Sequence, residues 1–208
     1  DISFVADNFA ITPRPITLTA AAAQSKVYGN SDPTYSYAVE ASGASRGIVV
    51  GDSFTGALAR TAGENVSSSY ALNQGSLVNS NYDISFVADN FAITPRPITL
   101  SANDRSKVYG DTLVLGTSGF ALTTGTFVNS ESVSGVTLAS TNGYDASTSQ
   151  AAGSYAANIT ASSAIGANGF VVSNYDITYA PGALAIAARQ ITLSANDRSK
   201  VYGDTLVL

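Results

Sequence analysis

The sequence holds no histidine, cysteine, methionine or tryptophan among its 208 residues. The first two absences exclude whole classes of chemistry. Without imidazole or thiol there is no serine–histidine or cysteine–histidine nucleophile, and the usual zinc, copper and haem sites lack their ligands. Without cysteine there are no disulfides from which to read a redox compartment. Charge is scarce as well: 12% of residues are charged, acids outnumber bases by 15 to 10, and the pI is near 4.5. Lys26, Lys107 and Lys200 are the three lysines, each sits in the same pentapeptide SKVYG, and no basic cluster exists. A net charge of −5 argues against nucleic acid or an anionic membrane as partner. No apolar run approaches the ~20 residues that a membrane helix needs.

Ser, Thr, Ala, Val, Gly and Asn dominate what is present, and the strong helix formers Glu and Lys are few. Such a composition favours strands and turns. The chain also copies itself. DISFVADNFAITPRPITL at 1–18 reappears unchanged at 83–100, and ITLSANDRSKVYGDTLVL at 98–115 returns at 191–208. These spacings exceed those of solenoid and propeller units and read as tandem small domains.

The copied stretch TPRP marks a seam. Proline fixes its own φ, lacks an N–H, and holds the preceding residue extended, which excludes a central strand and leaves a short stiff connector. The linker residues are Pro13, Arg14, Pro15, Pro95, Arg96 and Pro97, with Arg189 and Gln190 at a third seam that reads AARQI and has lost its prolines. Four segments follow: 1–13 as the last strand of a preceding repeat, 14–95 and 96–188 as complete repeats, and 189–208 as the opening strands of another.

Within the repeats, alternation marks strands at PITLT (15–19), TYSYAVE (34–40), SFTGALAR (53–60), SYALNQ (69–74) and YDISFVADNFAIT (82–94). The second repeat follows the same plan with FALTT, SVSGVTLAS, SYAANITAS and YDITYAPGALAI. Turn-forming clusters such as YGNSDP and TAGEN separate them. The expected fold is all-β: small antiparallel domains of five to seven strands, as a sandwich or a grasp-like sheet. Helix is limited to a turn or two near VVGDSF or FVNSES.

RPITLTAAAAQSKVYGNSDPTYSY, VVGDSFTGALARTAGENV, SYALNQGSL and NYDISFVADNFAITP, taken together, resemble the MBG-type repeat domain with a Tyr-Gly signature. That domain is found in tandem in very large secreted bacterial adhesins and filamentous-haemagglutinin-like proteins. The second repeat is similar to a sister type, and the resemblance covers essentially the whole chain. It departs at AARQI, where the family usually keeps a Pro-containing boundary, and at SSSY (67–70), where a Gly before the Tyr is common. The resemblance implies a secreted, surface-exposed, non-catalytic stalk module, whose partners are neighbouring repeats of one long chain. Host or bacterial glycan or protein would be met through the parent's tip, in adhesion or biofilm.

The Tyr-Gly pairs Tyr28–Gly29, Tyr109–Gly110 and Tyr202–Gly203 read as structural turns, with the ring packed at a domain end and the glycine at φ > 0. Tyr35, Tyr37, Phe54, Tyr70, Tyr82, Phe86 and Phe91 alternate with polar residues and read as core-facing; the competing reading is a glycan-binding platform. No cofactor is expected. The aspartates number twelve without forming a calcium-loop motif, so structural calcium would need Asp32, Asp52 and Glu64 to meet through the fold. Lys26 and Lys107 sit in turn-like surroundings, which disfavours a lysine isopeptide crosslink. Neither end segment can bury a core alone, since independent folding below about 40 residues usually needs disulfides or metals. Completion is expected by covalent continuation, or by strand donation from a neighbouring molecule.

Overall fold

A computed structural model describes residues 2–205; Asp1 and residues 206–208, the outer limits of the two end segments, lie outside the described residues. The first repeat forms β1 (Arg14–Ala20), β2 (Ser25–Val27), β3 (Tyr37–Val39), β4 (Ala59–Arg60), β5 (Ser67–Asn73), β6 (Tyr82–Val87) and β7 (Asn90–Thr94). The second forms β8 (Arg96–Ala102), β9 (Arg105–Val108), β10 (Phe120–Thr124), β11 (Ser132–Ser140), β12 (Gly153–Ala167), β13 (Tyr175–Ala180) and β14 (Gly182–Ala187). The sheet orders β3-β1-β6 and β2-β7-β5-β4 become β10-β8-β13 and β9-β14-β12-β11 in the second repeat, strand for strand. Among the described residues the helical turns are two short 3-10 segments, at Thr141–Gly143 and Val172–Asn174. VVGDSF and FVNSES carry tight turns instead.

The pairing is mixed, which corrects the expectation of antiparallel domains. β1 runs parallel to β6 from Arg14↔Tyr82 to Thr19↔Val87, and β2–β7 and β9–β14 are parallel too. Most of a repeat separates the partners in each case, and a crossover of that length is what parallel pairing requires.

A second correction concerns the prolines. Pro15 and Pro97 lie inside β1 and β8, the middle strands of their sheets. The physical reason is visible at β1. Its pairing with β3 covers Leu18–Ala20 only; at Pro15 that side meets Gly47, whose N–H donates to Pro15 O at 3.0 Å and whose carbonyl accepts from Arg14 Nε at 2.9 Å, so the missing proline N–H leaves that carbonyl with a donor. Pro13 precedes β1, and Pro95 is the single residue between β7 and β8.

The chain divides into two compact units that do not coincide with the repeats. One comprises Asp1–Leu100, Leu122–Gly135 and Ala164–Thr178; the other comprises Ser101–Ala121, Val136–Ser163 and Tyr179–Leu208. β8, β10, β11, β12 and β13 each run from one unit into the other. In the first unit both sheets of the first repeat share a core of Leu18, Ala20, Leu72, Phe91 and Ile93, the sandwich arrangement. Ile98 and Tyr175 of the second repeat join that core, with Leu122, Phe127, Val128 and Phe170 packed against it. The second unit has its own core around Ala102, Leu115, Ile159, Leu184 and Ile186.

The copied segments have unlike fates. Residues 83–95 supply most of β6 and all of β7, whereas their copy at 2–13 enters no strand and leaves Phe4 and Phe9 exposed. Residues 188–205 form no strand either, while 98–102 belong to β8 and 105–108 to β9. Identical sequence with different neighbours gives different structure, because a strand is stabilised by its cross-strand pairs.

Candidate functional site

The place where most independent interactions converge is the turn after β2, where the first repeat meets the second. Gly29 adopts φ +79°, and the Asn30 N–H closes the turn on Val27 O at 3.0 Å. The Tyr28 N–H donates to Thr94 O at 2.9 Å. Arg96, the first residue of β8, donates through Nε to Tyr28 O (3.0 Å) and through Nη2 to Asn30 Oδ1 (2.8 Å). The arginine of the seam is thus a clamp on the preceding Tyr-Gly turn.

The second repeat covers that turn. The Tyr28 hydroxyl donates to Glu131 Oε1 at 2.6 Å, and the Tyr175 hydroxyl to Glu131 Oε2 at 2.5 Å. Val128 N donates to the Tyr175 oxygen at 3.2 Å. All three side chains are buried, with the Tyr28 and Tyr175 rings edge to face, 5.6 Å between centroids. Burial, then the bond to Glu131, pushes the Tyr175 phenol up to about 12 and raises Tyr28 in the same way. Both rings are thereby held neutral beside a carboxylate that accepts from each. Beside them the fully buried Asn174 accepts from Val66 N at 2.9 Å and donates to Asn65 Oδ1 at 2.9 Å.

Gly29 has a steric reason for its identity besides φ. A Cβ built there would lie 2.6 Å from Val128 Cγ1, closer than non-bonded carbon atoms approach. The glycine lets the second repeat approach closely.

The other Tyr-Gly turns show the same clamp in stages. Arg189 Nε donates to Tyr109 O at 2.8 Å and Nη2 pairs with Asp111, while Tyr109 is 42% exposed. Tyr202 is fully exposed, with Gly203 at φ +92°. Gln190 is exposed outside any strand.

Other candidates resolve into structure. Lys26 and Lys107 are buried strand residues, a correction to the turn-like surroundings expected. Lys26 Nζ lies 2.7 Å from Asp32 and 2.5 Å from Glu64, and Arg60 bridges the same two carboxylates at 2.7 and 2.5 Å. The Arg60 bonds hold Asp32 well below the usual carboxylate range against the opposing effect of burial. Burial disfavours the Lys26 charge, yet Asp32 and Glu64 raise it overall. A Lys–Asn isopeptide bond forms when a neutral amine attacks the Asn carboxamide with a protonated acid beside it, so both shifts oppose such a crosslink. Lys107 donates to the carbonyls of Tyr144, Asp145 and Ser147. Asp32 and Glu64 meet around these cations, whereas Asp52 bonds the Tyr82 hydroxyl. Among the described residues no cluster of three or more metal-ligating side chains forms. Of the aromatic residues, Phe91 and Tyr82 are buried, and Tyr35, Tyr37, Phe54, Tyr70 and Phe86 pack against the first core.

No motif in the sequence singles out Glu131. The signal available was a parallel between repeats: a carboxylate three residues after a valine (Val49/Asp52, Val128/Glu131) with NYDI downstream in both. No curated protein and no solved structure matches the chain. The family model for the MBG domain (YGX type) matches residues 16–92 and again 98–185. The chain therefore belongs to the MBG domain (YGX type) family, as two tandem copies whose Tyr-Gly turns lie where one repeat hands over to the next.

Proposed function

We propose that this chain is a non-catalytic spacer: stalk repeats of a large extracellular bacterial surface protein that carry an adhesive region away from the cell. One observation carries the reading. The Tyr-Gly turn of the first repeat is buried by Glu131 and Tyr175 of the second, and Ile98 and Tyr175 complete the first repeat's core. A handover built as core rather than as a free linker resists bending and pulling, which is the work of a stalk. The family membership supports the same role, and the prominent aromatic residues are committed to packing rather than to a ligand platform.

The competing function is direct binding of glycan or a neighbouring cell by the repeats. Glycan-array and cell-binding assays on the whole chain separate the two: no saturable binding is expected, and micromolar saturable binding would overturn the spacer reading.

A further inference from the structure

The group that seats the Tyr28 turn has a counterpart in the first repeat. Tyr82 donates to Asp52 Oδ2 at 2.5 Å as Tyr175 does to Glu131, and Val49 N donates to the Tyr82 oxygen at 2.9 Å as Val128 N does to Tyr175. The turns match also: Asp52 N bonds Val49 O at 3.1 Å, and Glu131 N bonds Val128 O at 2.9 Å. Asn81 precedes Tyr82 as Asn174 precedes Tyr175.

The cover differs. Asn174 is fully buried, whereas Asn81 is exposed. Val49 and Val50 are 45% and 95% exposed. A cleft of about 230 Å³ opens at Asn81, lined also by Ile11, Thr12, Pro13, Arg14 and Ser80. Where the same group is covered, its occupants are a Tyr-Gly turn and the Asn65–Val66 segment.

We infer that the Val49, Asp52, Asn81 and Tyr82 face is an acceptor site for the Tyr-Gly turn of a further first-type repeat of this same kind. The tyrosine hydroxyl of the incoming turn donates to Asp52 Oδ1, the oxygen that Tyr82 leaves free. Its glycine passes over Val49, and its Asn65–Val66 segment meets the Asn81 amide. Asp52 is one methylene shorter than Glu131, so the incoming ring sits deeper. Arg14, the counterpart of Arg96, now donates to the carbonyls of Gly43, Arg46 and Gly47 and turns to take the incoming carbonyl. Tethering makes this contact intramolecular, so it needs no strong affinity of its own.

This inference rests on the array reading but is tested apart from it. Residues 14–82 are placed directly ahead of Asp1, so that 14–82 followed by 1–13 spells the repeat as 14–95 does. The protein has no cysteine, so Asn81→Cys in the original copy supplies the single thiol. Its labelling is expected to slow by at least an order of magnitude in the extended chain. A Gly29→Leu change in the added repeat is expected to restore the rate, and an exposed control, Thr160→Cys, to label equally in both chains. Equal Asn81→Cys rates with and without the added repeat, in chains that both melt cooperatively, would overturn the site. So would protection that survives Gly29→Leu, because the cover would then not be the turn. The spacer reading stands or falls on the binding assays instead.

Discussion

The Tyr28 hydroxyl donates to Glu131 at 2.6 Å across 103 positions of sequence, and Glu131 takes a second phenol, Tyr175, on its other oxygen. A buried carboxylate is costly unless its lone pairs are used, and here two neutral phenols use them. Glu131→Ala leaves both hydroxyls without this acceptor in a buried site and is expected to cost about 1–3 kcal/mol. Glu131→Gln keeps the shape and loses less. Denaturant unfolding of the three chains gives the order; a Glu131→Ala chain as stable as the parent removes the cluster from any structural role.

Alkaline pH probes the same cluster. The folded phenols of Tyr175 and Tyr28 titrate above their ordinary value, Tyr175 at about 12. A raised folded pKa gives stability that is complete below the unfolded value of about 10 and is lost as pH rises through the folded one. Melting followed from pH 8 to 12 is expected to stay level to about pH 10 and then to fall, more steeply than in a Tyr175→Phe chain.

Acid acts on the ion-pair cluster around the buried Lys26. Asp32 and Glu64 are both held below their ordinary values, Asp32 first by Arg60 and Glu64 first by Lys26. A depressed folded pKa gives stability that is present above the unfolded value, about 4, and is lost as pH falls through the folded one. Stability is expected to decline below about pH 4, and Arg60→Ala to flatten that decline. An unchanged slope in Arg60→Ala would show that other carboxylates govern acid unfolding.

Gly29 and Gly110 provide a matched pair. Both have positive φ, so alanine strains either backbone by about 1 kcal/mol or more. A Cβ at Gly29 meets the branched Val128 side chain at 2.6 Å, whereas at Gly110 it meets the Arg189 Nε at 3.2 Å. Gly29→Ala is expected to lower the melting temperature more. Equal effects would mean that φ alone explains the conserved form of the turn within this chain.

The seam supplies a further test. Pro95 and Pro97 changed together to Ala are expected to leave hydrogen-exchange protection of the Tyr28 amide unchanged. Arg96→Ala removes its bonds to Tyr28 O and Asn30 and is expected to lower that protection by about 1 kcal/mol. The opposite ranking would return the handover to proline stiffness.

Much of the fold was readable locally. SVSGVTLAS coincides with β11 residue for residue, and the Ile16–Leu18–Ala20 alternation is the buried face of β1. Other strands came out shorter than their patterns. TYSYAVE yields only Tyr37–Val39, and SFTGALAR only Ala59–Arg60, because pairing partners rather than alternation decide where a ladder stops. The Tyr-Gly motif was legible as a turn. What covers it was not, since Glu131 and Tyr175 come from another repeat, and periodicity carries no information about contacts between segments so far apart.

The copied stretch 83–100 begins in β6, passes through the Arg96 clamp and ends in β8, so each copy encodes one side of a handover together with the start of the next repeat. This has a genetic consequence. Unequal crossing-over within such copies adds or deletes a whole repeat while every joined strand keeps its partner residues and its reading of inside and outside. Length variants arising in this way would inherit intact joints, and the number of repeats would drift between generations while the joint chemistry stayed constant.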